Sequence, residues 1–395
     1  MASPTSPTAK SPTFKNASKA KPVSKSIDAS SELLRHLRQL CRDLSLPTFA
    51  TNNNLLLSLV EAAVEQNQPF PPKTLIFTNS IEINFWKLLH QFLSSAHCHA
   101  YSSLFKSKKY IGLQTLHIWG IPLSKNELNE VTSLATKIPS LTKLELVQCS
   151  LSDQCAESLS DCLKKRSTAY LTTLNLDHNE FSDTGSMVLA QGLGFNSTLT
   201  SLNLSHNRIR NCTGIASILS LTDTRLTQLD LAANAINNSG FANICAVLPL
   251  SKLQSLNLAQ NNINFQMDEE ILNDKLNKPQ SIENSVSRSL SMTKANELST
   301  ILTTTLGETF IIAMSKCKTL RDVNLDANLL SEHFLESLIS SLSEARLLHL
   351  HNFKITSFVN NSLYYRLCEL VEKQQPPKKK KKKNKLKAKQ KSSKK

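Results

Sequence analysis

The sequence predicts an α/β solenoid, with short parallel strands on a concave face and helices outside. The main observation is an eleven-residue pattern, L-x-x-L-x-L-x-x-N-x-(L/I/F), that begins at Leu171, Leu199, Leu226 and Leu253, at intervals of 28, 27 and 27 residues. Self-similarity at such a period is typical of a chain whose units bury their apolar faces only by stacking on one another. The second observation is that the residues between the copies favour helix.

Each position of the pattern has a physical role. In the first clear unit, Leu174 and Leu176 alternate along a strand and are expected to point inward, whereas Asn175 and Asp177 face the concave side. The ninth position, here Asn179, ends the strand, and its amide can bond to backbone groups of its own and neighbouring coils. We call this ninth position the ladder position. Together these features are those of a leucine-rich repeat.

The pattern continues upstream with lower fidelity. The two units that precede Leu171 put Cys149 and Ile121 at the ladder position. Because Cys is an accepted substitute for Asn there, Cys149 is predicted to be structural. A weaker trace near the start places Ile76 inside and Asn79 at the ladder position.

Downstream, the unit from Leu320 restores the pattern with Asn328 at the ladder position. A last unit is predicted to point Leu348 and Leu350 inward and to put Phe353 at the ladder position. The total is about nine coils, and the terminal ones are degenerate, as capping repeats usually are.

The segments between strands favour outer helices. Residues 182–193 begin with capping residues, and we expect Met187, Val188 and Leu189 on the inner face. A second such segment has apolar residues at helical spacing, namely Cys155, Leu159, Cys162 and Leu163. Units of 27 to 30 residues have room for a helix, and they resemble the ribonuclease-inhibitor-like class, in which strands and helices form a horseshoe.

An α-helical N-terminal cap is predicted before the repeats. Ser31 is a candidate N-cap, and a second helix is expected over Asn53–Glu65. A cap for the first coil is favoured over a partner-binding helical module. The apolar face of the first helix comprises Leu33, Leu37, Leu40, Cys41 and Leu44.

The predicted domain organisation has six parts. They are a disordered basic tail over 1–29, the helical cap over 30–70, leucine-rich repeats over 71–264, a polar insertion over 265–297, further repeats and a C-terminal cap over 298–371, and a disordered poly-Lys tail over 372–395.

Positive charge is concentrated in the two tails. The formal net charge is +15, yet residues 1–27 contain five Lys and residues 376–395 contain twelve Lys, with no acid in either stretch. The remaining chain has 29 basic and 31 acidic residues. The tails therefore indicate attachment to a polyanion such as acidic tubulin tails, nucleic acid or anionic lipid, and nuclear localisation and a merely solvated tail are alternatives. The densest run is Lys378, Lys379, Lys380, Lys381, Lys382 and Lys383.

Cysteine usage and hydropathy indicate an intracellular protein. The nine cysteines are scattered singly and form no C-x-x-C pair. We expect neither a signal peptide nor a transmembrane segment, because no apolar run is long enough.

The candidate binding site is the concave face. A row of small polar side chains suits hydrogen bonding to a protein partner, or equally a merely hydrated surface. Trp119 is the strongest contact candidate, because exposed Trp is enriched at interaction hot spots. The candidate residues are His117, Trp119, Glu145, Asn175, Asp177, His178, Asn203, His206, Asp230, Asn257, Asn324 and Asp326.

Neither catalysis nor a cofactor is expected. No P-loop, H-E-x-x-H or G-x-S-x-G motif is present in the sequence, and no small-molecule substrate is predicted. His178 and His206 occupy the same position in adjacent coils, but two imidazoles do not make a metal site without further ligands. The run 97–99 (His-Cys-His) is too local to close a tetrahedral site.

The strand LHIW (Leu116 to Trp119), the consecutive coils and the polar insertion resemble the family of leucine-rich repeat-containing protein seventy-one of ciliated organisms. The resemblance covers roughly residues 110–265. It implies a structural protein of the cilium or flagellum axoneme, located in the cytoplasm and cytoskeleton. The sequence thus predicts a non-enzymatic scaffold that binds a protein, with tails that hold an acidic filament such as the microtubule.

The alternative is a regulator of a small GTPase, because the Ran GTPase-activating family has the same solenoid class. Members of that family typically carry an acidic C-terminal tail and a functional arginine, whereas this chain has a basic tail and a column of mainly Asn and Asp. A tropomodulin-like actin-capping protein is a third candidate, but the actin-binding helices of that family are not evident here.

Overall fold

The computed structural model describes residues 23–44, 51–78, 85–103, 112–164, 170–266, 305–356 and 360–375. Its centre is one nine-stranded parallel sheet in which the strands follow sequence order. The predicted leucine-rich repeat solenoid is therefore confirmed. The strands are β1 Thr74–Phe77, β2 Thr115–Trp119, β3 Lys143–Val147, β4 Thr173–Asn175, β5 Ser201–Asn203, β6 Gln228–Asp230, β7 Ser255–Asn257, β8 Asp322–Asn324 and β9 Asn352–Lys354.

Helices precede the sheet and then alternate with its strands. Five of them follow strands β2 to β6 directly. None of the helices among the described residues is long and apolar enough to span a bilayer. They are α1 Val23–Asp43, α2 Thr51–Glu65, α3 Phe85–Leu93, α4 Ala96–Ser103, α5 Lys125–Lys137, α6 Ala156–Lys164, α7 Asp183–Leu193, α8 Thr213–Leu219, α9 Asn238–Val247, α10 Leu306–Lys316, α11 Glu332–Ser343 and α12 Asn361–Gln374.

The core lies between the sheet and the helices. One inward-pointing apolar residue from the middle of each strand pairs with its counterpart in the next strand, so that side chains of similar size stack along the solenoid. All of these residues are buried, and they are Leu144, Leu174, Leu202, Leu229, Leu256 and Val323. Because successive strand residues point to opposite sides, the other face of the sheet is left for polar residues. We call this the open face, and it is the predicted concave face.

The ladder position joins each coil to the one before it. The side-chain oxygen of Asn261 accepts a hydrogen bond from the backbone N–H of Ile236 at 3.0 Å. Its amide nitrogen donates to the carbonyls of Leu231 in the previous coil and Leu258 in its own coil, both at 3.0 Å. This buried amide thus satisfies backbone groups that the short strands leave unpaired. The same pattern recurs at Asn179, Asn207, Asn234 and Asn328.

Cys149 fills the ladder position with a thiol, as predicted. Its Sγ donates to the carbonyls of Ile118 at 3.3 Å and Val147 at 3.4 Å. Burial raises the pKa of this thiol to about 12, so it remains a protonated donor at neutral pH. The prediction that this cysteine is structural is confirmed.

A left-handed non-glycine residue precedes the ladder position in six of the described coils. The φ angles of these residues lie between 49° and 54°, a region that non-glycine residues seldom adopt. The turn is tolerated because the adjacent ladder side chain bonds to the backbone on both sides of it. The residues are Gln148, His178, His206, Ala233, Gln260 and Ala327.

The outer helices pack closely through glycines and begin at side-chain caps. The side chain of Ser182 accepts a hydrogen bond from the N–H of Thr184 at the start of α7. A Cβ atom on Gly240 of α9 would lie 2.1 Å from the carbonyl oxygen of Arg210, so only glycine fits there. The helix predicted over 182–193 is confirmed, but Met187 is exposed and not on the inner face. That face includes Gly185, Ser186 and Ala190, which are small enough for neighbouring helices to approach.

The predicted register of the first strand is wrong by one residue. Leu75 and Phe77 are buried and pair with core residues of β2, whereas Ile76 is 52% exposed on the open face. A shift of one residue exchanges the two faces of a strand, because the side chains alternate. Asn79, the predicted ladder residue, lies outside the described residues.

The predicted register of the last coil is also wrong. Leu348 is 62% exposed, and Phe353 is not at the ladder position but in the middle of β9, opposite Val323. Leu350, Phe353 and Ile355 are the buried residues of this coil. The run from Leu347 to Leu350 matches the leucine pattern better than the sequence of β9 does. The preceding helix α11 nevertheless fixes where the strand begins.

The helical cap is present with different bounds. The helix α1 begins at Val23, so Ser31 lies inside it, and the N-cap prediction is wrong. Residues 23–29, assigned to the tail, are helical. The predicted apolar face is nevertheless found, because Leu33 and Leu37 are buried in the same apolar cluster as the first strand. The second helix begins at Thr51, two residues before the expected start.

The start of the predicted insertion also requires correction. Phe265 is buried and stacks on Phe334 with ring centroids 4.4 Å apart, so the repeat core extends one residue past the predicted boundary. Residues 267–304, which hold most of the predicted insertion, lie outside the described residues, as do residues 1–22 and the poly-Lys run from Lys378 to Lys383.

Substitutions at two adjacent asparagines are predicted to differ strongly in their effect on the free energy of unfolding. Asn261→Ala removes the partners of three backbone groups in the protein interior, and we expect it to lower the free energy of unfolding by about 3 kcal/mol. Asn262→Ala is the matched control, because its side chain is exposed, and we expect a change below about 0.5 kcal/mol. Urea unfolding followed by circular dichroism measures both, and equal losses would contradict the role of the ladder.

Candidate functional site

The open face carries rows of polar side chains, and one row contains most of the predicted site residues. The strand register places equivalent residues of consecutive strands directly beside one another, at the spacing of paired strands, roughly 4.8 Å. The row contains seven of the twelve predicted site residues in order, namely His117, Glu145, Asn175, Asn203, Asp230, Asn257 and Asn324. Their alignment is a finding, and their part in binding stays a prediction.

Most members of this row have a structural role that the sequence analysis missed. The side-chain oxygen of Asn203 accepts a hydrogen bond from the N–H of Ser205 at 2.8 Å, and Asn175 and Asn324 bond in the same way two residues ahead. Such turns lead the chain from the strand into the left-handed residue. Asn or Asp between the two inward leucines of each unit would have been the sequence signal.

The amide nitrogens of the row remain available on this face. Among the described residues, none accepts a hydrogen bond from the side-chain nitrogens of Asn175, Asn203 and Asn324. Asn257 differs, because its nitrogen donates to a carboxylate oxygen of Asp230 at 3.0 Å. In this row, the side-chain oxygens accept hydrogen bonds from the protein's own backbone. The amide nitrogens are suited to donate to carbonyl groups of a partner.

A buried carboxylate organises the N-terminal end of the open face. Glu145 is 5% exposed, and its oxygens accept hydrogen bonds from Lys143 Nζ at 2.5 Å, from Trp119 Nε1 at 3.2 Å and from His117 Nδ1. Burial alone would raise the pKa of this carboxyl, but the bonds from Lys143 and His117 hold it below its ordinary value. Glu145 is thus an ionised anchor for three neighbouring side chains.

Trp119 is presented to solvent by this anchor. Its side chain is 42% exposed, while its N–H is held by Glu145 and its ring meets the edge of His117 at a centroid distance of 5.4 Å. An aromatic side chain whose orientation is already fixed loses little entropy when a partner binds. Lys143, which the sequence analysis did not select, belongs to the same cluster.

A second cluster lies just after the carboxyl ends of strands β4 and β5. Asp177 follows β4, and its carboxylate faces His178 and His206, whose rings stack with centroids 3.8 Å apart. Burial would raise the pKa of Asp177, but hydrogen bonds from Ser205, His178 and His206 hold it below its ordinary value. The proximity of the two histidines was predicted, but the role of Asp177 between them was not. Asp326 occupies the position of Asp177 in a later coil, and its side chain accepts a hydrogen bond from the backbone of Ala327.

A rim of exposed apolar side chains was also missed. Tyr170, Phe195, Leu221 and Leu250 are exposed, and each lies between an outer helix and the strand that follows it. Their spacing of 25 to 29 residues is the repeat period, which would have been the signal. Any test of the open face therefore needs the rim as a comparison.

One of three comparisons with known proteins matches the repeat itself. A family model described as a leucine-rich repeat matches residues 169–190 and 195–211. A comparison with curated proteins finds no match. Among solved structures, internalin C2 of Listeria monocytogenes is 18% identical, with a TM-score of 0.34, over 62% of this chain and 71% of its own. The internalin inlF of the same organism is 14% identical, with a TM-score of 0.33, and 65% of each chain is covered.

Proposed function

We propose that this leucine-rich repeat protein is a non-enzymatic scaffold that binds a protein partner on its open face. In the same proposal, its basic tails attach it to an acidic filament, and that filament is the microtubule of the cilium or flagellum axoneme. The observation that carries the proposal is the in-register polar row that ends beside Trp119.

The chemistry of the row suits an extended polypeptide. Its side chains recur at roughly 4.8 Å, the spacing of neighbouring strands, so a partner segment that crosses the strands meets one donor or acceptor per coil. The fixed Trp119 supplies apolar contact area, and aromatic anchors of this kind dominate the energetics of protein interfaces. A partner with backbone carbonyls and a pocket for the indole would satisfy both parts of the face.

The axonemal part of the proposal rests on charge. Removal of the 17 lysines at the two ends leaves 29 basic and 31 acidic residues, so the coils offer no strong attraction to a polyanion. The tails, by contrast, concentrate positive charge that attracts an acidic surface. The resemblance of residues 110–265 to the ciliary family favours the axonemal microtubule as that surface.

Photo-crosslinking at two glutamine positions tests whether the partner contacts the open face. Gln228 is exposed on β6, in the strand that contributes Asp230, whereas Gln191 is exposed on the outer helix α7. We replace each in turn by a photo-crosslinking amino acid and irradiate the protein in an extract of ciliated cells. We expect a discrete adduct from position 228 and none from position 191, because the partner contacts the open face.

The rim is the necessary comparison for this experiment. The same amino acid is placed at Phe195, which is exposed at the edge of the solenoid. Adducts from Phe195 or Gln191, with none from Gln228, would contradict the assignment of the partner to the open face.

The tails make a separate prediction. We expect full-length protein to co-sediment with microtubules and to lose most of that binding between about 0.05 and 0.3 M salt, because the contact is electrostatic. A chain that ends at Gln375, and so lacks twelve lysines, should bind several-fold more weakly at low salt. Microtubules without their acidic tubulin tails are the control. Equal and salt-insensitive binding by both chains would remove the tail from the mechanism.

A further inference from the structure

Asp177, His178 and His206 form a compact group of metal-ligating side chains. The loop after β4 supplies Asp177 and His178, and the next coil supplies His206 at the position equivalent to His178. One ligand atom from each of the three lies within 4.8 Å of the others. Within the part of the chain that the structure describes, this is the sole group of three or more such residues.

The geometry of the group is set by the fold. Asp177 Oδ1 lies 2.9 Å from Nδ1 of His178 and 2.9 Å from Nδ1 of His206. The backbone N–H of His178 donates to Ser205 at 3.1 Å, and that of His206 donates to Ala232 at 2.9 Å. Since backbone bonds between coils fix both histidines, their side chains start from preset positions on the same edge.

We propose that Asp177, His178 and His206 bind a divalent transition-metal ion, such as Zn²⁺, through Oδ1 and the two Nδ1 atoms. At the tetrahedral angle, two ligands each about 2.1 Å from zinc lie roughly 3.4 Å apart. The observed N···O separations of 2.9 Å are those of hydrogen bonds, so the three side chains would move apart by about 0.5 Å to hold a shared ion. On binding, each neutral imidazole holds its proton on Nε2, and the Nδ1 lone pair faces the ion.

The surroundings support an ionised, oriented carboxylate. Ser205 Oγ donates to Asp177 Oδ1 at 2.6 Å and fixes the oxygen that faces the histidines. Hydrogen bonding of this kind to a ligating group is typical of metal sites.

The site is open to an additional ligand. The side chains of His178 and His206 are 49% and 44% exposed. Three protein ligands leave a position for water or for a side chain of another molecule. The left-handed turn itself is common to the coils, but Gln148, Ala233 and Ala327 replace histidine in others, so the ligand set is particular to this pair of coils.

Isothermal titration of full-length protein with ZnCl₂ tests the proposal. We expect one ion per chain, and a reduction in affinity of about tenfold or more in His206→Gln and in Asp177→Asn. His36→Gln is the control, because His36 and His97 also stack, at 4.4 Å, but belong to no group of three ligands among the described residues. Titration with Co²⁺, followed by its visible absorption, reports independently whether nitrogen ligands bind the ion.

The possible results of the zinc titration either support or overturn the proposed metal site. A loss of one equivalent of zinc in His206→Gln and Asp177→Asn, with binding retained in His36→Gln, supports the site, provided that circular dichroism shows both variants folded. No saturable binding by the wild type, unchanged binding in His206→Gln, or loss only in His36→Gln would overturn it. Failure of this test leaves the proposed protein-binding function untouched, because that function rests on the polar row and Trp119.

Discussion

The hydrogen bonds of the ladder amides are the constraint on which the rest of the structure depends. Strands of three to five residues cannot satisfy their own backbone groups at the turn that follows. The buried amide of Asn207 supplies the missing partners, because it accepts from Phe181 in the previous coil and donates to Leu176 and Leu204. Each amide thus closes its own turn and also fixes the distance and register of the adjacent coil.

The open face follows from this constraint. Once register is fixed, the last residues of strands β4 to β8 fall in one row, and their side-chain oxygens bond two residues ahead to begin the left-handed turn, as at Asn203 and Ser205. The same turn projects the residue before the ladder position to the edge of the sheet. For this reason His178 and His206 stack, and Asp177 lies between their Nδ1 atoms. A polar row and a metal-ligating group are thus two products of one repeated geometry.

Two carboxylates with lowered pKa values lie in adjacent coils of the open face. Glu145 is buried and fixes His117, Lys143 and Trp119, whereas Asp177 is partly exposed and faces two histidines. The difference in surroundings gives them different roles. The first orients the aromatic side chain of Trp119, and the second belongs to the proposed metal site.

The sequence predicts the strand register correctly where several features of the repeat agree. It predicts the register wrongly where only a few such features are present. In the coils from Leu171 to Leu253, inward leucines, ladder residue and spacing all agree, so strands and core were assigned correctly. At Ile76 and Leu348 only a few apolar residues define the register, and neighbouring strands and helices decide it instead. Contacts between coils were the harder part, because Asp177 and His206 meet only through the stacking of two turns.

Hydrogen exchange of Asn207→Ala tests the role of the ladder most directly. The backbone N–H of Phe181 donates to the side chain of Asn207 at 2.9 Å. The backbone N–H of Ile263 donates to the side chain of Asn328, and this bond lies several coils away from Phe181. Because each coil contacts only its neighbours, we predict faster exchange at Phe181 with protection retained at Ile263, as measured by mass spectrometry or NMR. Unchanged exchange at Phe181, or an equal loss of protection in every coil, would contradict the account.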